Sequence, residues 1–322
     1  MNIFSGIEGL CQLQAGSILS IGNFDGIHRG HQALLSLGRA LRRDRPGSRL
    51  AVATFEPHPL TVLRPEMAPP RLTTPQIKRR SLAEQGVDDL VELAPEPSVL
   101  NMTAEEFWAT LRDRVRPSHL VEGGEFNFGK NRGGNIRRLR EWSAGTCVEL
   151  HVIDEVQAPL LDLSVVSVSS TVVRWLIAYG RVRDAAICIG RPYRVAGEVI
   201  RGYQRGRELG YPTANMRCDG QLVPADGVYG GRCSVDGATY PAAVSVGTLP
   251  TFGSHERQIE SYLIGFTGDL YGRTIEIDLL DWLREQRKFA SLDQLKEQIA
   301  RDVVETMVRQ NMDAARAIGA IG

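Results

Sequence analysis

Residues 20–35 read SIGNFDGIHRGHQALL, and two imidazoles, His28 and His31, stand three apart within them. Gly22, Gly26 and Gly30 precede or separate them, with the polar Asn23 and Asp25 between. A strand–glycine–helix join leaves backbone N–H groups free at the positive end of a helix dipole, a ready site for an anion. Residues at i and i+3 share one face of a helical turn. Two imidazoles there can hydrogen-bond phosphate oxygens, and they help most where charge builds during attack on phosphorus. Surface histidines at a helix start are the plain alternative, and the glycine-bounded strand end argues against it. Further along, VSSTVVR places Ser169, Ser170 and Thr171 about one helical turn before Arg174. Hydroxyls and a guanidinium on one helix face suit anionic oxygens, although SST alone would be a plain N-cap.

GEFNFGKN (124–131) competes for the phosphate role, because it satisfies GxxxxGK. It fails at Asn131, where a phosphate loop needs a Ser or Thr hydroxyl for Mg²⁺. Phe126 and Phe128 also crowd a loop that should wrap phosphate with bare backbone.

These groups need elements to hold them. SILSIG (17–22), RLAVATF (49–55), DLVEL (89–93), HLVEG (119–123) and CVELHVI (147–153) read as buried strands alternating with helices. That alternation predicts a parallel sheet covered by helices, with ligands beyond the C-terminal strand ends. Thr103 and Glu106 form a capping-box pattern, and Phe107, Leu111 and Val115 repeat as one buried stripe. Near residue 185 the pattern changes to YRVAGEVI, GVYGGRCSV, TYPAAVSV and TIEIDLL, strand-like and partly alternating. Asp236-Gly237 predicts a tight hairpin, so an antiparallel sheet or small barrel follows. A terminal helix opens at a second capping box, Ser291 with Gln294, and carries Leu292, Leu295, Ile299, Val303 and Met307 on one face. The fold expected is α/β, a Rossmann-like parallel-sheet domain over 1–184 and an antiparallel barrel with a terminal helix over 185–322. Lys and Arg balance Asp and Glu, 38 against 38, so nothing asks for nucleic acid or a membrane surface. No apolar run approaches a membrane span, and the N-terminus has no signal-peptide pattern. Five irregularly spaced cysteines predict reduced thiols in the cytoplasm. Surface composition offers no interface that predicts a homo-oligomer.

The histidine stretch resembles the HxGH motif of the nucleotidyltransferase superfamily, and VSSTVVR resembles its ISSTxxR element. IGNFDGIHRGHQALL, TFEPHP (54–59) and FNFGKNRGG (126–134) resemble, in this order, three elements of the bacterial FAD synthetases. GEVIRGYQRGRELGYPTANM (197–216) is similar to the riboflavin kinase pattern GxVxxGxxxGRxLGxPTAN, and GVYGG, GTLPTFG, IESYLIGF, DLYG and LREQRKF follow in family order. The resemblance covers about residues 15–310 and is to the bacterial family that joins riboflavin kinase and FMN adenylyltransferase in one chain.

The resemblance implies roles. His28, His31 and Arg174 act on ATP in the adenylyltransferase half, supported by Gly22, Asn23, Asp25, Ser169, Ser170 and Thr171. Phe55, Pro57, His58, Pro59, Phe126 and Phe128 lie beside the flavin. In the kinase half Thr213 and Asn215 hold Mg²⁺, hard oxygen donors such as that ion prefers. Gly202, Gly206 and Gly210 let backbone approach ATP, and Glu260 is the general base on the riboflavin 5′-hydroxyl. Riboflavin would become FMN, and FMN with a second ATP would become FAD and pyrophosphate. The flavins are then substrate and product, not a redox cofactor. The alternative is a kinase whose N-terminal half only binds flavin or nucleotide. Three positions depart from the family: Glu125 for Asp or Asn, Val172 for an arginine, and Leu249 for a polar or basic residue.

Overall fold

The computed structural model describes residues 1–202, 206, 209–248 and 257–319. Leu249, and parts of the GYQRGREL and GTLPTFG stretches, lie outside them. Contacts group the chain into two compact units. One comprises Met1–Pro69, Thr74–Gln157 and Ser167–Ser169; the other comprises Pro70–Thr73, Ala158–Val166 and the chain from Ser170 onward. The expected boundary at 184/185 falls inside the helix Val182–Ile189, which contacts alone group with the barrel, as they do the helix Ser170–Ala178.

The first unit holds a six-stranded parallel sheet of β1 (Asn2–Ser5), β2 (Ile18–Ile21), β3 (Leu50–Phe55), β4 (Asp89–Leu93), β5 (His119–Gly123) and β6 (Glu149–Ile153), in the order β1-β4-β3-β2-β5-β6. Alternate residues feed two cores. Leu19, Ile21, Ala51, Ala53 and Leu120 belong to one, and Ile18, Leu50, Val52, Leu90 and Val121 to the other. Burial on both faces is why β2, β3, β4 and β5 read as apolar runs, whereas β6, expected as a buried strand, is an edge strand whose residues are exposed or half-buried. The edge strand β1, NIFS, is mostly exposed and carries no such signal. The order reverses between β2 and β5, and a crevice forms at the strand C-termini at such a point.

Both halves of the first capping box form: Glu106 N donates to Thr103 Oγ1 at 3.1 Å, and Thr103 N donates to Glu106 Oε2 at 2.8 Å. The stripe departs from a plain α-helix. Ala104–Ala109 is α-helical and Thr110–Val115 continues as a π-helix, with Arg116 N donating to Leu111 O. A four-residue repeat outruns the 3.6-residue α turn. The wider turn compensates and keeps Phe107, Leu111 and Val115 all buried.

The second unit is a closed antiparallel barrel of β7 (Tyr193–Ile200), β8 (Ala214–Arg217), β9 (Gly227–Val235), β10 (Ala238–Thr248), β11 (Arg257–Leu263) and β12 (Thr274–Arg284), in the order β7-β8-β11-β10-β9-β12. Asp236 and Gly237 both take positive φ, 52° and 80°, as the expected hairpin requires. The terminal helix spans Leu292–Gly319. Gln294 N donates to Ser291 Oγ, but the Gln294 amide oxygen accepts from Ala290 N rather than from Ser291. Of its expected apolar face Leu292 and Met307 are exposed and Leu295, Ile299 and Val303 half-buried; among the described side chains of the helix Asp302 and Thr306 are the buried ones.

Candidate active sites

The loop from β2 into the helix Arg29–Arg43 is conformationally costly. Phe24 and Ile27, both fully buried, hold φ of 45° and 40°. Positive φ on a β-branched residue is a marked outlier, and such strain collects at functional sites. The buried side chains act as pegs that fix the loop between them. His28 takes the N-cap position and is buried, and its ring stacks on that of His31 with centroids 3.7 Å apart. Gly30 explains the motif's glycine: a Cβ there would lie 3.1 Å from the His28 ring. Burial, then His28 and Lys78, pushes the His31 imidazole well below the ordinary histidine range. Among the described residues its buried Nδ1 has no hydrogen-bond partner. A neutral ring with an open polar atom is prepared to meet a ligand's polar group.

The TFEPHP segment leaves β3 beside this loop. Thr54 Oγ1 donates to Asn23 O at 2.8 Å, and Asn23 Nδ2 and His58 Nε2 lie 3.2 Å apart. Lys78, which the motifs do not mark, is buried and donates to Glu56 Oε2 at 3.0 Å. Asp25 is buried nearby in sequence. From β5 the chain enters a short hairpin pairing Asn127 with Asn135 and Phe128 with Gly134. Phe126 stacks on Phe128, and Phe128 is itself buried against Phe107 and Trp142. Glu125 is exposed. The rejected phosphate-loop reading finds no support in geometry, because Lys130–Arg132 forms a single 3₁₀ turn and no helix starts there. Glu122 sits at the crossover, 1% exposed, accepting from Ile21 N at 2.9 Å. Burial pushes its carboxyl well above the ordinary range, against that one hydrogen bond.

Ser169 precedes, and Ser170 and Thr171 open, the helix Ser170–Ala178, which buries Val173, Leu176 and Ile177. Thr171 is exposed, and the Arg174 Nε donates to Pro70 O at 2.9 Å.

The barrel gathers its groups by register. Asn215 on β8 pairs with Glu260 on β11, which pairs in turn with Ser245 on β10. Thr213, Asn215, Ser245 and Glu260 all line one cavity of about 830 Å³, as does Gly206. Thr213 and Asn215 thus present a hydroxyl and an amide on one wall, with the Glu260 carboxylate across the strand pair. The Asn215 amide lies over Gly202, where a Cβ would come within 2.4 Å of Nδ2. Gly206 packs equally close to Tyr211 O, and Gly210 takes φ of 85°. Leu292, Leu295 and Ile299 face the same cavity, so the helix stripe serves as its apolar wall.

Sequence reading missed the groups that brace this wall. Arg284 donates twice to the buried Asp302, at 2.9 and 2.7 Å. Gln286 donates to Ser245 Oγ and Val246 O. LREQRKF marks the first partner's region, but nothing in sequence joins it to Asp302.

A doubly wound sheet presenting histidines at its crossover, with a separate barrel whose cavity carries hydroxyl, amide and carboxylate, defines a protein with two phosphate-handling centres. Comparison with known proteins agrees with that division. The FAD synthetase family matches residues 11–171, and the riboflavin kinase family matches residues 189–309. The bifunctional riboflavin kinase/FMN adenylyltransferase of Escherichia coli K12 is 36% identical over 307 residues, 94% of this chain and 96% of that protein. The protein of that description from Pseudomonas fluorescens is 36% identical over 99% of this chain and 98% of its own length. A solved chain from Streptococcus pneumoniae, described as a macrolide-efflux protein, is 29% identical with a TM-score of 0.83, covering 95% of this chain and 99% of that one. The chain belongs to the bifunctional riboflavin kinase/FMN adenylyltransferase family.

Proposed function

We propose that the barrel phosphorylates riboflavin with ATP to give FMN and ADP, and that the parallel-sheet half joins FMN to AMP from a second ATP, giving FAD and pyrophosphate. The presence of both family regions favours this over a kinase with a degenerate N-terminal half. The functional division runs over 1–184 and 185–322, and the setting is cytoplasmic. Among the described residues no helix is long and apolar enough to cross a membrane.

The observation that carries the kinase reading is Asn215–Glu260 pairing at one cavity with Thr213. Glu260 accepts the proton of the riboflavin 5′-hydroxyl as its oxygen bonds to the γ-phosphorus and ADP departs. Thr213 and Asn215 fit Mg²⁺, since both offer neutral hard oxygens and Gly202 leaves the Asn215 amide its place. Bound there, the ion neutralises phosphate charge. Gly206 and Gly210 give the nucleotide access to backbone. Leu295 and Ile299 offer apolar area to the flavin ring.

In the other half His28 and His31 donate to the α-phosphate region as the FMN phosphate oxygen attacks and pyrophosphate leaves. Gly22, Asn23 and Asp25 fix that loop, and Ser169, Ser170, Thr171 and Arg174 bind the departing phosphates. Phe55, Pro57, His58, Pro59 and Phe126 border the flavin, with Phe128 holding Phe126 from the core. The test is a time course with riboflavin, excess ATP and Mg²⁺, flavins separated at intervals. FMN should rise and then fall as FAD appears. FMN accumulating without FAD, even with FMN supplied, would sink the adenylyltransferase assignment.

A further inference from the structure

The N-terminal ends of β5 and β6, opposite the strand ends that carry the histidine loop, bring together three side chains the proposed reactions do not use. His119 pairs in register with Glu149, and His151 follows two residues on, so all three project from one face of the sheet. His119 Nδ1 and His151 Nε2 are 2.9 Å apart. Glu149 oxygens lie 3.6 Å from the first and 3.5 Å from the second. Among the described residues this is the one grouping of three such ligands.

A tetrahedral ion with bonds of about 2.0–2.1 Å holds its ligand atoms roughly 3.4 Å apart. The observed separations lie on either side of that, 2.9 Å between the nitrogens and 3.5–3.6 Å from each nitrogen to one or the other Glu149 oxygen. Two imidazoles and one carboxylate select a borderline cation such as Zn²⁺ over Mg²⁺, which prefers an all-oxygen shell. We propose that His119, Glu149 and His151 form a zinc-class cation site that pins the edge strand β6 to β5, separate from both reactions. Without an ion these two nitrogens lie at hydrogen-bond distance, and binding turns both toward the cation. Three protein ligands leave a fourth position for water.

The experiment is calorimetric titration of the reduced full chain with ZnCl₂, with thermal unfolding in parallel. One ion should bind per chain at this site, raising the melting temperature by roughly 5 °C at saturation. Millimolar Mg²⁺ should give no matching rise. His151→Ala and Glu149→Gln, both at accessible positions, should each weaken binding at least about tenfold, the scale on which even outer partners matter. Both should leave FMN and FAD formation unchanged. Cys147→Ser, removing the exposed thiol two residues before Glu149, should bind as the parent does. No Zn²⁺ uptake, uptake equal in all variants, or uptake lost only in Cys147→Ser would each overturn the proposal.

Discussion

The two sites are built by opposite means. At the parallel sheet, the proposed groups collect on loops at strand ends. The histidine loop is held by two buried residues in costly positive-φ conformations, Phe24 and Ile27, and by one ring folded over Gly30. In the barrel, the proposed groups collect on strands. Asn215 and Glu260 reach one cavity through hydrogen-bonded register, with Thr213 just before β8 and no positive φ among the three. A loop concentrates chemistry in a few consecutive residues and spends backbone strain to aim it. A barrel distributes chemistry over distant residues and aims it by the ladder.

That contrast can be broken or sharpened by variants. The largest effect is expected from Glu260→Gln, which keeps size and polarity but cannot take the proton. FMN formation should fall about 10²–10⁴-fold, while conversion of supplied FMN to FAD continues. Next comes the His28→Ala, His31→Ala pair, which should lower FAD formation about 10²–10³-fold and spare FMN formation. Retention of FAD formation in that pair would refute the loop assignment. Gly202→Ala presses a methyl into the Asn215 amide without touching its ligand atoms' identity. A loss of about tenfold to a hundredfold in kinase turnover is expected, read by steady-state kinetics at varied Mg²⁺. If strand register alone set the site, this change outside the ladder would do nothing.

The smallest effect concerns Glu122, at the crossover. Its folded pKa is raised by burial, so the folded state binds more protons than the unfolded one above the ordinary carboxyl pKa. Stability from this group is full below that range and is lost as pH rises through the folded value. Glu122→Gln keeps an acceptor for Ile21 N and removes the titration. Thermal melts should show near-equality with the parent in mild acid and a growing advantage for the variant as pH rises. A pH-independent difference would mean the carboxyl does not titrate there.

The same contrast explains what sequence could convey. HRGH, TFEPHP and SST are readable because a loop site is local, and β2 to β5 are readable because their cores lie on both faces. β1 escaped, since an exposed edge strand has no apolar run. The π turn at Thr110–Val115 escaped because a four-residue stripe fits two helix types. In the barrel, PTAN was visible as a motif, but its pairing with Glu260 is a property of register. Lys78, Glu122 and Asp302 give no signal, and LREQRKF marks Arg284 without pointing to its partner. Their importance comes from burial and from a partner distant in the chain, as Glu122 and Ile21 show.

The central claim is that each site performs one step. The most direct test mixes two purified variants, Glu260→Gln and the His28→Ala, His31→Ala pair, with riboflavin, ATP and Mg²⁺. Neither alone should make FAD from riboflavin, and the mixture should, through FMN released by one and taken up by the other. A mixture that makes FMN but no FAD, while the Glu260→Gln protein also fails on supplied FMN, would contradict the division of labour.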